Sequence, residues 1–134
     1  MFDIPLHVLV VHFPIALIVV AVIYDTRGYF SGTPELHDTG YSLVLWATAG
    51  AALAAGTGLQ LAGGLSASGA IAHAGLGLFG TIALIALTVL RYSARARETE
   101  AAASYPLLWL ILEFAAALAI VLAAVTGHRA VLQL

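Results

Sequence analysis

Four long apolar runs divide the chain, at about residues 5–24, 41–61, 70–92 and 105–125. Each run is close to the ~20 residues that an α-helix needs to cross the hydrocarbon core of a bilayer. A backbone in lipid must satisfy its own hydrogen bonds, and runs of this length do so as helices. The connections are short, which favours antiparallel neighbours. The pattern therefore predicts an all-α fold, with residues 1–134 forming a single membrane domain, an antiparallel four-transmembrane-helix bundle.

Arginine and tyrosine mark one side of the predicted bundle. Arg27 lies in the first connection, and three more arginines flank the third connection. Because cytoplasmic loops carry an excess of arginine and lysine, we expect these connections to be cytoplasmic and both termini to lie outside. A tyrosine at the same end of each helix agrees, since amphipathic rings prefer the headgroup layer. The three arginines are Arg91, Arg95 and Arg97, and the four tyrosines are Tyr24, Tyr41, Tyr92 and Tyr105.

The first connection contains a signal for a helix start. Thr33 is a favourable N-cap residue, and Pro34 suits the first helical position because its missing N–H is not needed there. The second helix would then begin in water before it enters lipid. We therefore expect His37 and Asp38 to lie in a hydrated cytoplasmic turn.

Composition narrows the chemistry further. Hydrophobic residues make up 62% of the chain and charged residues only 9%, against roughly 25% charged in soluble proteins. With a net charge of -2 and no lysine, the chain offers no basic surface for nucleic acid. The absence of cysteine excludes disulfides, thiolate metal sites and covalent haem attachment. Any cofactor must therefore be held by nitrogen or oxygen ligands.

Histidines carry the candidate chemistry, because four of the five fall on the predicted outer side: His7, His12, His73 and His128. Neutral imidazole is a good ligand for haem iron, copper and zinc. On a regular helix His7 and His12 point about 140° apart, so they do not share one ion. Pro14 can kink the helix beside His12 and direct that ring inward.

The depth of the histidines in the predicted membrane spans then distinguishes one pair from the others. His12 lies about 10 Å along its helix and His73 about 5 Å, so both rings reach the hydrocarbon boundary, where a polar group needs a partner. We predict His12 and His73 as the ligands of a haem or of a metal ion. The shallower His7 and His128 would hold a second centre, bind haem propionates or stay hydrated.

A face of small residues supports a site beside His73. Gly69, His73, Gly77 and Thr81 recur at four-residue spacing, which puts them on one narrow face of the third helix. Such a face admits either a closely packed helix or a flat macrocycle, so Gly77 is included among the predicted cofactor-binding residues. The second helix has a comparable face around Gly50, for which helix packing is the ordinary explanation.

Glu113 is the one carboxyl group well inside a predicted span, about 12 Å along the helix from Tyr105. A bare charge at that depth costs at least a few kcal/mol. We therefore expect Glu113 to be protonated, or to be paired with a group such as Arg91, Thr88 or Tyr41. Two interpretations stay open, a structural ion pair with Arg91 and a step in proton uptake from the cytoplasm.

The first helix also carries a recognisable signature. His-x4-His-Phe-Pro-Ile-Ala-Leu at residues 7–17 resembles the opening of the DUF2231 family of small bacterial membrane proteins. The resemblance continues through Asp25, His73, Arg91 and Gly127. It implies a multi-pass protein of the bacterial inner membrane. Similar domains occur fused to c-type cytochrome or Rieske modules on the outer side, which implies electron transfer there.

These observations lead to one functional hypothesis with two alternatives. The first is a b-type cytochrome or cytochrome-like subunit, in which His12 and His73 hold haem b and a periplasmic protein or quinone exchanges electrons. The second is a histidine-ligated copper, zinc or iron site. The third is a cofactor-free structural or assembly subunit that packs against other membrane subunits or copies of itself. An enzyme with a soluble substrate is the least supported class, since the short loops build no pocket, and no catalytic residue is identified.

Overall fold

The computed structural model of the chain describes residues 6–62, 68–98 and 105–132. The described part is almost entirely helical and contains no strand, which confirms the predicted all-α fold. Its long helices satisfy their backbone groups internally, as a bilayer requires. The helices are α1 (Leu6–Ser31), α2 (Pro34–Ala62), α3 (Ser68–Ala96) and α4 (Leu107–Leu132).

The helices extend beyond the apolar runs that predicted them. α1 has 26 residues and a length of about 39 Å, longer than the ~30 Å hydrocarbon core. It continues past Tyr24 and through Asp25, because hydropathy marks only the part of a helix that lies in lipid. α2 begins at Pro34, as predicted, and not at residue 41. The expected hydration was wrong for His37, which is only 3% exposed, whereas Asp38 is exposed.

A tight turn reverses the chain between α1 and α2. Gly32 takes a positive φ of 64°, a conformation that glycine adopts without a side-chain clash. The Thr33 N–H donates to the carbonyl of Gly28 at 3.2 Å, the bond that closes a Schellman cap. Pro34 follows at the first position of α2. The turn brings the end of α1 beside the start of α2.

The helices form a closed ring in cross-section, in which α1 packs on α2, α2 on α3, α3 on α4 and α4 on α1. Sequential helices are antiparallel, so α1 and α3 run in the same direction and lie diagonally opposite. We call the end where α1 and α3 begin the His end, after His7 and His73, and the opposite end the Arg end, after Arg91.

Small residues fill the centre of the bundle and large ones cover its outside. The core includes Ile18, Val44, Leu84 and many alanines, which allow the helices to approach closely. Large apolar side chains point outward, among them Phe30, which is 80% exposed. In a soluble protein such a surface would be an aggregation hazard, but in a bilayer it contacts lipid.

Three described helices are long and apolar enough to cross a membrane, over His7–Ser31 in α1, Ile71–Ala96 in α3 and Leu107–His128 in α4. α2, predicted as the fourth span, is less apolar because its glycines, threonines and alanines replace large aliphatic residues. Part of that small-residue surface packs on α1, where Gly50 meets Phe13.

Candidate functional site

Two histidines lie side by side at the His end. The rings of His7 on α1 and His73 on α3 have centroids 5.9 Å apart and planes at 87°. Because α1 and α3 are diagonal, this pair crosses the middle of the bundle. Both side chains are partly buried.

The hydrogen-bond network assigns the tautomers of these rings. His73 Nδ1 lies 2.7 Å from the carbonyl oxygen of Ala123, which only accepts, so Nδ1 carries the proton and donates. His7 Nδ1 lies 3.1 Å from Thr57 Oγ1. The Thr57 hydroxyl donates to the carbonyl of Leu53 at 3.0 Å, so its oxygen accepts from His7. His73 therefore carries a proton on Nδ1 and His7 is placed to donate from Nδ1 in the same way, which leaves both Nε2 atoms outside these hydrogen bonds.

Glycines pack directly against both rings. A Cβ atom at Gly58 of α2 would lie 3.0 Å from Cε1 of His7. A Cβ atom at Gly127 of α4 would lie 2.8 Å from Cε1 and Nδ1 of His73. A larger residue at either position would have to displace an imidazole, so these helices fix where the rings lie.

His12 is not part of this pair. Its Nδ1 donates to the carbonyl of Val8 at 2.6 Å, one turn earlier on α1, and its side chain is exposed. His7 already faces the bundle interior, and a residue about 140° away on the same helix faces outward. Pro14 packs against Gly50 of α2 and does not turn His12 inward. The structure therefore brings His7, and not the predicted His12, to His73.

The remaining predicted residues of the His end lie apart from the two rings. His128 is exposed near the end of α4. A Cβ atom at Gly77 would meet nothing within 4 Å, so this glycine borders open space one turn from His73 and does not pack on a helix. The Thr81 hydroxyl donates to the Gly77 carbonyl at 2.8 Å and so stays within its own helix.

A second polar cluster lies buried at the Arg end. Both Nη atoms of Arg91 donate to the carboxylate of Asp25, at 2.7 and 3.3 Å. His37 Nδ1 donates to the same carboxylate at 2.8 Å. Arg91 also donates to the His37 carbonyl at 2.6 Å and to the hydroxyl of Tyr105 at 3.3 Å. This ion pair again joins the diagonal helices α1 and α3.

Tyr105 completes the cluster just before α4. Its ring stacks on His37 with centroids 4.4 Å apart, and the Arg91 guanidinium lies 4.6 Å from its centroid. Its φ of 46° is rare for a side chain other than glycine, asparagine or aspartate, and persists only where surrounding contacts fix the residue. Burial raises the pKa of its hydroxyl, which therefore stays protonated and remains a hydrogen-bond donor.

Glu113 connects to the cluster from inside the bundle. It is 0% exposed, and the Tyr105 hydroxyl donates to its Oε2. Its Oε1 has no hydrogen-bond partner among the described residues. Asp25 is near enough to act on it electrostatically. A buried carboxyl group therefore lies beside a second carboxyl group with only one hydrogen-bond donor.

The predicted partners of this carboxyl group have different positions. Arg91 reaches it only through the Tyr105 hydroxyl. Thr88 pairs instead with the hydroxyl of Thr48 at 2.8 Å, and Tyr41 lies 5.6 Å from the Arg91 guanidinium. Tyr105 was also predicted to be an interfacial ring, but it is only 1% exposed because it fills the space between the four helix ends.

Glycines pack on this cluster as they do at the His end. A Cβ atom at Gly40 would overlap the carboxylate of Asp25, and one at Gly28 would lie 2.7 Å from Cε1 of His37. Each of these glycines lies on the helix adjacent to the side chain it contacts. The close approach of α1 and α2 at this end therefore requires both positions to lack a side chain.

A shared spacing links the two clusters. Asp25 follows His7 by 18 residues, and Arg91 follows His73 by 18 residues. Eighteen residues are five helical turns, so each pair lies on one helix face, about 27 Å apart. That separation is close to the ~30 Å hydrocarbon thickness, which puts one cluster near each boundary. The 18-residue spacing is a sequence signal for the two clusters. It did not lead to a prediction because the predicted first helix ended before Asp25.

Comparisons with known proteins identify a family. No curated protein and no solved structure matches the chain. A family model described as a predicted membrane protein, DUF2231, matches residues 3–134, nearly the whole chain. The chain therefore belongs to the DUF2231 family of predicted membrane proteins.

Proposed function

We propose that this protein is a small electron-transfer subunit, a b-type cytochrome or cytochrome-like protein, whose haem b is ligated by His7 and His73. The observation that carries the proposal is the pair of adjacent imidazoles, each with Nδ1 held by a hydrogen bond to a neighbouring helix. Their ring centroids lie 5.9 Å apart, so the two rings are close enough to contact one bound group.

The number of ligands favours haem over a bare ion. Among residues 6–62, 68–98 and 105–132, no group of three or more His, Asp or Glu side chains is arranged to hold a metal ion. Structural zinc takes four protein ligands and catalytic zinc three. Haem supplies four nitrogens itself and would need at most two more ligands, which His7 and His73 would provide. Open space beside Gly77, one turn from His73, agrees with a flat group at this face.

Each of the surrounding residues would have a defined role. His7 and His73 would ligate the iron, and haem would supply one-electron transfer. Thr57 and the Ala123 carbonyl orient the two rings through Nδ1. The apolar core below them, around Ile18 and Leu84, keeps water from the site. The arginine bias favours an outer location for the His end, where a periplasmic redox protein or a quinone would exchange electrons in the bacterial inner membrane.

An optical spectrum and a pyridine haemochrome assay test the proposal. Protein purified from haem-replete cells should contain haem b and show a Soret band. His7→Ala and His73→Ala should each lose the haem, whereas His12→Ala, a matched change on the same helix, should keep it. A wild-type spectrum without a Soret band would refute haem binding, and metal analysis of that sample would detect copper, zinc or iron bound as an ion.

A cofactor-free structural subunit is the second candidate. It is favoured by the ion pair, stacked rings and glycine contacts at the Arg end, which join the helices without any ligand. In that case His7→Ala and His73→Ala should leave complex assembly intact, while Gly77→Leu, at a glycine that borders open space, should abolish it. Co-purification of the membrane partners measures both outcomes.

A further inference from the structure

The charges of the Arg-end cluster balance without Glu113. Arg91 contributes one positive charge and Asp25 one negative charge, and the two are joined by a pair of hydrogen bonds. The Tyr105 hydroxyl is uncharged, and His37 donates its Nδ1–H to the same Asp25 carboxylate. An ionised Glu113 would add a second buried negative charge beside Asp25. Such an unpaired charge is strongly unfavourable in a lipid-embedded bundle.

The hydrogen bonds of Glu113 also favour a protonated carboxyl group. An ionised carboxylate buried in protein is stabilised by several donors. Glu113 receives one, from the Tyr105 hydroxyl on Oε2, and its Oε1 has none among the described residues. A neutral carboxylic acid fits this surrounding better, because it adds no buried charge and its O–H group can donate to the neighbouring Asp25 carboxylate.

We propose that Glu113 is a proton-binding site, whose ligand is an exchangeable proton taken from water at the Arg end. The groups that face it are Asp25 on α1, Arg91 on α3 and Tyr105 before α4, while His37 on α2 acts through Asp25. Proton binding converts the Glu113 carboxylate to the acid, and proton release restores it. The site is separate from the proposed haem site at the His end.

Polar groups connect Glu113 to the surface at the Arg end. Tyr105 bridges it to Arg91, and the ring of Tyr41 lies 5.6 Å from Arg91 and 4.5 Å from Arg95. Arg95 pairs with the carboxylate of Asp38, whose side chain is 65% exposed. Towards the His end the described core contains apolar residues such as Leu84, Ala116 and Ile120, and the buried Thr81 hydroxyl there donates within its own helix. Exchange with water therefore takes place through the Arg end.

Infrared spectroscopy of the protein in lipid bilayers tests this site. The expected spectrum at neutral pH contains the carbonyl band of a protonated carboxylic acid, which shifts in D2O and weakens as the pH is raised. Glu113→Gln should remove the band, while Asp38→Asn, a matched change at an exposed carboxylate, should leave it. Absence of the band in the wild type would overturn the proposal, since Glu113 would then be ionised.

A second variant covers the case in which Glu113→Gln does not fold. Tyr105→Phe removes the one donor to Glu113, so the band should persist but move to higher frequency. A band at unchanged frequency would belong to another carboxyl group and would refute the assignment. Neither measurement needs a bound cofactor, so the result is independent of haem binding at the His end.

Discussion

At the residue scale, the most consequential side chain is Asp25. It accepts hydrogen bonds from Arg91 and His37, and all three are almost completely buried. A buried ion pair does not by itself stabilise a fold, because desolvation offsets the attraction. Removing one partner of the pair destabilises the fold strongly, since it leaves the other charge buried and unpaired.

Asp25→Asn should therefore destabilise the protein by about 3–5 kcal/mol, because it leaves the Arg91 guanidinium without a counter-charge. The free energy of unfolding in bilayers or micelles measures the effect. Asp38→Asn is the control, since it breaks the exposed pair with Arg95 and should cost less than about 1 kcal/mol. Equal effects for the two variants would contradict a buried, structurally essential Asp25.

At the scale of helices, glycine determines how closely neighbours approach. Four glycines contact the side chains of the two clusters: Gly28, Gly40, Gly58 and Gly127. Others, such as Gly56 and Gly75, border open space. The same residue type thus has two roles, and only the contacts distinguish them.

Gly127→Ala and Gly75→Ala form a matched test of this difference. Gly75→Ala should be neutral or stabilise by up to about 1 kcal/mol, because alanine favours the helix. Gly127→Ala should destabilise by about 1–3 kcal/mol relative to it, because the new methyl group must displace the His73 ring. Unfolding measurements give the difference, and the haem content of Gly127→Ala should fall with it. Identical stabilities would show that the His73 ring is free to move.

The sequence was sufficient for the helices but not for the contacts between them. The apolar runs predicted four helices because lipid selects long hydrophobic segments. They did not predict that Asp25 is helical or that His37 is buried, since polar residues beyond an apolar run are expected in hydrated segments. The choice of His12 over His7 failed for a related reason, because the direction of α1 relative to the bundle axis depends on its packing with α2 and α4. The depth of Glu113 in its predicted span was enough to identify it as a carboxyl group that needs a partner. The hydrogen bond from Tyr105 was not predicted, because Tyr105 precedes α4 and helical spacing does not give its position.

At the scale of the whole molecule, the bundle carries a polar pair on its α1–α3 diagonal at each end. His7 meets His73 at one end, and Asp25 meets Arg91 at the other. The two parallel helices are thereby joined at both boundaries of the membrane, although they are not adjacent in the ring. The ends lie about 27 Å apart, well beyond the ~10 Å over which substitutions usually interact.

Substitutions at the two ends should therefore be additive, and those within one end should not. His73→Ala combined with Arg91→Met should change the unfolding free energy by the sum of the single effects, to within about 0.5 kcal/mol. Asp25→Asn combined with Arg91→Met should fall short of its sum, because each single change already breaks the same pair. A double-mutant cycle in micelles measures both cases. Strong coupling between the ends would indicate that a structural change at one cluster is transmitted to the other.

The orientation of the bundle can be tested directly because the chain contains no cysteine. Arginine at the Arg end predicts that this end faces the cytoplasm and the His end faces outward. A single cysteine at exposed His128 should react with a membrane-impermeant maleimide on intact cells. A single cysteine at exposed Ser31, at the opposite end, should react only after the membrane is permeabilised. The reverse pattern would put the histidine pair on the cytoplasmic side, and its electron partner would then be sought there.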